Sequence, residues 1–331
     1  MRLFPAFLPS FRSSLLQLTL TALLACTAIA AGAQTWPARP IKLVVGFSPG
    51  GGVDINARLL AGKLSDLLGQ QVIVENKPGA GTNIANEFVA KAAPDGHTLL
   101  INTSAVTINM SLYKNPPFNT LRDFAPVAVF SDSQNILVVN AAKPFKGVAD
   151  VVNAARAKPG ALTYGSAGAG TTQHLTGELF KLQTKTDILH IPYKGSAPAL
   201  TALMAGEIDM VFINVPAILP HVKSGRLRPL AAAGAKRSEI LPEVPTLKES
   251  GINLVMALWY GVLAPAGTPK EIVAKLSSAI NKAAYSPDLK QRLLEQGAEP
   301  VGNTSEEFGA MIKDEVAKWG EVVRAAGIKP E

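Results

Sequence analysis

Short apolar runs alternate with amphipathic stretches along almost the whole chain, and this alternation constrains the fold more than any other feature. Ile41 to Phe47 is nearly continuous in apolar residues, as in a strand buried on both faces. A glycine-rich turn follows. Ile55, Leu59, Leu60, Leu64, Leu67 and Leu68 then recur at spacings of three and four, the period of a helix with one buried side. Gln71–Glu75 and Thr98–Asn102 read as the next strands. The pattern restarts with Ile136–Val139, Leu162–Tyr164, Ile188–Ile191 and Met210–Ile213, separated by helical stretches that include Ala149–Ala157 and Thr172–Leu182. Near the C-terminus Ile272, Val273, Leu276 and Ile280 form one helical stripe, and Phe308, Met311, Ile312, Val316, Trp319, Val322 and Val323 form another. Strands alternating with helices predict an α/β fold with parallel-rich sheets.

The restart near Ile136 and the aromatic pair Trp259 and Tyr260 further on predict two lobes joined by two extended crossings, at 126–140 and 253–263. Lobe one is then 34–135 plus 258–331, and lobe two is 136–257. No low-complexity linker separates them, and no repeat of fixed period occurs.

Residues 1–33 read as a signal peptide. Arg2 and Arg12 precede an uncharged, leucine-rich run from Ser13 to Ala33 that ends in Ala31-Gly32-Ala33, an A-x-A cleavage site. Gln17, Thr19, Thr21 and Thr27 interrupt the run, which makes it a poor membrane span. Leu23-Leu24-Ala25-Cys26 also has the look of a lipoprotein box, the alternative to cleavage after Ala33. Cys26 is the only cysteine, so cleavage after Ala33 leaves a chain with no disulfide and no thiolate chemistry, as suits an oxidising export compartment. The net charge of +7 is spread without a Lys/Arg cluster interleaved with aromatics, so nucleic acid is not an expected partner.

Two glycine-rich turns, one in each half, carry the chemistry. Gly46-Phe-Ser-Pro-Gly-Gly-Gly-Val-Asp54 and Tyr164-Gly-Ser-Ala-Gly-Ala-Gly-Thr-Thr-Gln-His174 each follow a strand and open a helix. Glycine lets backbone approach a ligand closely, and a helix N-terminus offers unpaired N–H groups, so each turn suits an anion. The plainer alternative is a tight turn with a cap, Asp54 serving as the N-cap in the first. Other residues ending strands are Thr103-Ser104, Tyr193 in Pro192–Ala199, and Asn214 in Phe212–Pro216. Tyr193 either lines a pocket or packs on the next helix.

Familiar catalytic patterns fail in detail. No G-x-x-x-x-G-K-[ST] string occurs. The dinucleotide fingerprint breaks at Gly168-Ala-Gly170, where Gln173 stands in the last glycine place, and at Gly79-Ala-Gly81, where Ile84 does. A nucleophile elbow around Ser166 lacks its first glycine, which is Tyr164. His97, His174, His190 and His221 are not spaced as a local metal motif. No cofactor and no metal are expected.

Eight ordered strings resemble a known family, the solute receptors of tripartite tricarboxylate transporters, often called Bug proteins. They are Trp36–Ile41, Phe47–Asp54, Val74–Gly81, Pro94–Thr98, Tyr164–Gly168, Pro192–Gly195, Pro220–Arg228 and Pro242–Thr246. The resemblance implies a type II periplasmic binding protein with two hinged lobes, expected to be a monomer. It implies a small carboxylate ligand, captured between the two turns and delivered to membrane permease subunits. Carried over here, backbone amides, hydroxyls and ordered waters hold that carboxylate at Ser48, Gly51 and Gly52, and at Ser166, Gly168, Gly170 and Thr171, with Thr103 and Ser104 at a third strand end. Phe47, Ala167, His174, Tyr193 and Asn214 complete the expected pocket. Many relatives have Asp where this chain has Ile213, which points away from an amino acid ligand. Two other functions are carried alongside: a secreted hydrolase using Ser166 and a histidine, and a receptor that presents ligand to a sensor kinase.

Overall fold

The computed structural model describes residues 36–256, 258–325 and 327–328. The proposed signal peptide and Cys26 lie outside them. The described residues from Arg39 onward form one compact unit.

Within that unit the described residues build two sheets. The six-stranded sheet has the order β11 (Glu299–Pro300), β4 (Phe124–Ser133), β10 (Leu258–Pro265), β3 (Thr98–Asn102), β1 (Ile41–Val45), β2 (Val72–Asn76), and the five-stranded sheet the order β7 (Leu189–Pro192), β6 (Thr163–Ser166), β8 (Met210–Asn214), β5 (Asn135–Asn140), β9 (Leu227–Ala232). The first sheet begins with β1 (Ile41–Val45), which leads into α1 (Gly52–Leu68) and then β2 (Val72–Asn76). A short left-handed turn follows, then α2 (Asn83–Ala90), β3 (Thr98–Asn102), α3 (Ala105–Leu112), α4 (Thr120–Asp123) and β4 (Phe124–Ser133). Every residue of β1 except Lys42 is buried, as its apolar run requires of a strand covered on both faces. β1 pairs in parallel with β2 and with β3.

The chain crosses to the second sheet with a single residue between strands. β4 ends at Ser133 and β5 (Asn135–Asn140) begins two positions later. Next come α5 (Val148–Ala157), β6 (Thr163–Ser166), α6 (Thr172–Thr184), β7 (Leu189–Pro192), α7 (Ser196–Ala205), β8 (Met210–Asn214), α8 (Val215–Lys223) and β9 (Leu227–Ala232). The return ends in β10 (Leu258–Pro265), buried along its whole length. The chain closes with α9 (Lys270–Ala284), α10 (Pro287–Glu295), β11 (Glu299–Pro300) and α11 (Ser305–Ala325).

Both sheets are mixed. Parallel pairs come from the strand–helix–strand units: β1 with β2 and β3, β6 with β7 and β8. The crossing strands supply the antiparallel pairs, because an outward and a return crossing run in opposite directions. β10 is antiparallel to β4 and β3, and β5 to β8 and β9. Strand–helix alternation carries no signal for them.

The C-terminal stripe does two jobs. Phe308 and Ile312 pack with Val44, Leu100 and Leu263 of the first sheet. Trp319 and Val323, two and three turns on, pack with Leu137, Val139 and Phe212 of the second. Between them Glu315 accepts hydrogen bonds from Ser104 Oγ, Thr107 Oγ1 and Trp259 Nε1 at 3.1, 2.9 and 2.9 Å.

Candidate functional site

The first glycine turn joins β1 to α1. Gly51, not Asp54, is the N-cap of α1, and no side chain caps that end. Asp54 lies inside the first turn and reaches back: its Oδ2 accepts the Gly50 N–H at 3.0 Å, while Arg58 and Asn76 donate to the same carboxylate at 3.0 and 2.9 Å. Burial pushes the Asp54 carboxyl up, but the hydrogen bonds from Arg58, Gly50 and Asn76 outweigh it and hold the group below its usual range. A charged, locked Asp54 fixes the turn while the first N–H groups of α1 stay without a side-chain cap.

That turn is pressed against segments of the second sheet. Ser48 donates twice to the Lys194 carbonyl, from N at 3.1 Å and from Oγ at 2.8 Å. A Cβ on Gly52 would lie 2.3 Å from Asn214 Oδ1, and one on Gly195 would lie 2.8 Å from Ser48 N. Only glycine allows this approach.

The second glycine turn joins β6 to α6. Gly168 and Gly170 have φ of 127° and 78°, conformations glycine accepts freely. Thr171 is the N-cap of α6: its Oγ1 accepts the His174 N–H at 3.3 Å and donates to the Gly168 carbonyl at 2.7 Å. Ser166 Oγ accepts the Gly168 N–H at 3.1 Å and lies 2.7 Å from His190 Nε2. Gly170 N–H donates to His174 Nδ1 at 3.3 Å, and Ala167 N–H to Gln173 Oε1 at 2.8 Å. Behind the turn His190 stacks on His174 at 4.3 Å and on Tyr164 at 4.7 Å. Burial drives His174 down to about 4 and His190 to about 3, so both rings are neutral near pH 7 and His174 Nδ1 remains an acceptor.

A cleft of about 210 Å³ runs between the two sides. Gly46, Gly79–Thr82 and Tyr113 line it from the first sheet, and Ala167–Ala169 and Pro192–Lys194 from the second. Of the residues singled out from sequence, Ala167, Gly168 and Tyr193 are in its wall. Ser48, Gly51 and Gly52 sit in the contact beside it, against Lys194, Ser196 and Asn214. Gly170, Thr171 and His174 brace the second turn from within. Phe47 is buried, and its carbonyl accepts from Asn76 Nδ2 at 3.0 Å. Thr103 Oγ1 accepts the Ala105 N–H at 3.3 Å, while Ser104 turns to Glu315.

Ile213 needs a correction. It is fully buried in the apolar layer with Ile136, Val138 and Ala199, because strand alternation turns it away from Asn214's side of β8. It does not line the cleft, so it says nothing about an amine on the ligand. The sequence reading does not single out Gly79–Thr82 or Tyr113 as cleft walls; Lys194, which it offers as a reach toward a second carboxylate, is in the wall. A signal for the first is present in the sequence: Gly79-Ala-Gly81 follows a strand and closes one of the strings that resemble the receptor family.

Among the described residues no group of three or more His, Cys, Asp or Glu side chains is placed to hold a metal ion. No described helix is long and apolar enough to cross a membrane.

A family described as tripartite tricarboxylate transporter family receptor matches residues 56–328. The chain belongs to this receptor family. Protein BugT of Bordetella pertussis is 39% identical over 300 residues, which cover 90% of this chain and 92% of that protein. A Rhodopseudomonas palustris protein solved with adipate is 39% identical with a TM-score of 0.87, covering 89% of this chain and 100% of its own. MatC from Rhodopseudomonas palustris, solved with bound malate, is 30% identical with a TM-score of 0.84, covering 87% and 100%. The receptor thus has the type II periplasmic binding protein fold, with two α/β lobes and two connecting strands.

Proposed function

We propose that this receptor captures a small carboxylate between its two lobes and delivers it to the permease subunits of a membrane transporter. Lobe one is 34–135 plus 258–331, and lobe two is 136–257. The protein acts in the periplasm as a monomer, after cleavage behind Ala33. The observation that carries this reading is the cleft itself: glycine- and alanine-rich turns from both sheets line it, and no Asp or Glu is among the lining residues. Such walls bind an anion through N–H groups rather than through a buried counter-charge. The adipate and malate complexes of two relatives support a carboxylate as that anion.

Thermal shift against a panel of mono-, di- and tricarboxylates tests this. Binding to the native state alone adds RT ln(1 + [L]/Kd), about 2.7 kcal/mol at one hundred times Kd. The correct ligand raises Tm and is recovered unchanged by mass spectrometry. Chemical conversion of that ligand sinks the reading.

One observation favours a hydrolase, the 2.7 Å contact between Ser166 Oγ and His190 Nε2. Ser166 is fully buried, however, and Glu178, the carboxylate of that cluster, is taken up by Tyr164 OH at 2.6 Å and by Lys181 at 2.9 Å. An esterase assay run beside the thermal shift separates the two readings.

A further inference from the structure

A second cavity, of about 230 Å³, lies at the crossings between the two sheets and shares no lining residue with the cleft. Its wall includes Gln134, the single residue between β4 and β5, and Leu258, where β10 begins. Leu294 of α10 and Glu299 of β11 line it from the side of the first sheet, and Lys236, Ile240 and Val255 from the side of the second. An apolar cavity of about 150 Å³ is enough to take benzene, so this one has room for a ring and a short chain.

One part of the wall is apolar and reaches the surface. Val255 and Leu294, on opposite sides, are 48% and 37% exposed, apolar area that gains by being covered. The polar part is short of donors. Asp132, Glu239 and Glu299 face one ammonium, Lys236, which is spent on Glu299 at 2.9 Å and on Glu239 at 3.5 Å. Asp132 has no ion pair among the described residues. Burial and repulsion from Glu299 lift its carboxyl to about 6, and Lys236 and backbone N–H groups offset this only in part. Gln134 Oε1 is buried with no hydrogen-bond partner among the described residues. A Cβ on Gly234, also in the wall, would lie 2.1 Å from that oxygen, so glycine leaves the space beside it. The unmet groups are thus acceptors, set beside an apolar surface. A metal ion does not suit them, because no described group of three or more His, Cys, Asp or Glu is placed to hold one.

We propose that this cavity binds a small organic amine, its ammonium donating to the Asp132 carboxylate and to Gln134 Oε1 and its apolar body lying against Ile240, Val255 and Leu294. The walls come from both sides, so a bound amine ties the two sides together at the crossings. It favours the arrangement in which Ser48 meets the Lys194 carbonyl, since the cavity is complete in that arrangement. The site is an effector site, and its occupation requires nothing in the cleft.

The test uses the mature protein and 2-phenylethylamine at pH 7. Calorimetry is expected to show one saturable site per chain. The uncharged isostere 2-phenylethanol binds at least tenfold more weakly, as expected for the loss of a charge-assisted hydrogen bond. Asp132→Asn costs at least tenfold in amine affinity, and Val255→Trp, made at an exposed position, fills the cavity and abolishes binding. If Val255→Trp is not folded by circular dichroism, Asp132→Asn decides. In the parent the Ser48 amide, which donates to the Lys194 carbonyl at 3.1 Å, exchanges more slowly with amine bound. No saturable binding, equal binding of the alcohol, or an unchanged amine affinity in a folded variant overturns the site. An unchanged Ser48 amide overturns its tie to the cleft.

Discussion

Ser166 Oγ lies 2.7 Å from His190 Nε2 and also accepts the Gly168 N–H at 3.1 Å, so the hydroxyl of the second glycine turn is bonded twice inside the protein. Its work is to fix the turn. Ser166→Ala leaves a half-buried imidazole nitrogen and an amide short of their partner, a loss of about 1–3 kcal/mol. Urea unfolding of the unliganded protein is expected to show that loss. Ligand affinity, measured by calorimetry, is expected to fall with it only modestly. A variant as stable as the parent would remove Ser166 from this role.

Gly52→Ala separates binding from folding. The added Cβ would meet Asn214 Oδ1 at 2.3 Å, across the contact between the two sides. α1 itself tolerates alanine better than glycine. The expected result is a fold intact by circular dichroism and an affinity at least tenfold weaker. Undiminished affinity would mean that the ligand is held without this contact.

Acid sensitivity follows from the stacked histidines. The folded-state values, about 4 for His174 and about 3 for His190, lie below the usual 6.5, chiefly through burial. Depressed folded values mean stability that is complete above pH 6.5 and lost as pH falls through 4 to 3, because the unfolded chain binds the protons first. His174 alone accounts for about 3 kcal/mol of that loss at 1.36 kcal/mol per pKa unit. Denaturant midpoints from pH 7 to 3.5 are expected to fall steeply, and a His174→Gln, His190→Gln double variant to show a flatter profile.

Asp132 works in the opposite sense. It stands one residue before the end of β4 at the outward crossing, beside a second cavity of about 230 Å³ formed with Gly234–Lys236, Val255 and Leu294. Burial, with repulsion from Glu299, raises its carboxyl to about 6. A carboxyl raised in the folded state destabilises the protein above pH 6, and the penalty disappears as pH falls toward 3.8. Asp132→Asn is expected to add about 1 kcal/mol at pH 7, after allowance for solvent screening of this partly exposed group. The gain should vanish at pH 4, and chemical denaturation at the two pH values checks it.

What could be read in the sequence followed periodicity. β1, β3, α5 and α6 stand within a residue or two of where apolar spacing puts them, because their burial is regular. The antiparallel pairing of β5 and β10 was hidden, since a strand buried on both faces looks the same whichever way its neighbours run. At the candidate site the two glycine turns were visible as composition. The roles within them were not: His174 and Ser166 are turned inward by bonds to Gly170 and Gly168 that no spacing announces.

The C-terminal helix begins on the first sheet and finishes on the second. Trp319, only 3% exposed, therefore belongs by chain order to one half and by environment to the other. Any bending at the crossings must either carry this indole with the second core or peel it away. With Trp36 and Trp259 replaced by Phe, its emission reports that choice without a dye. A helix that packs in both cores ties the two sheets together, so separating them would uncover either Trp319 and Val323 or Phe308 and Ile312.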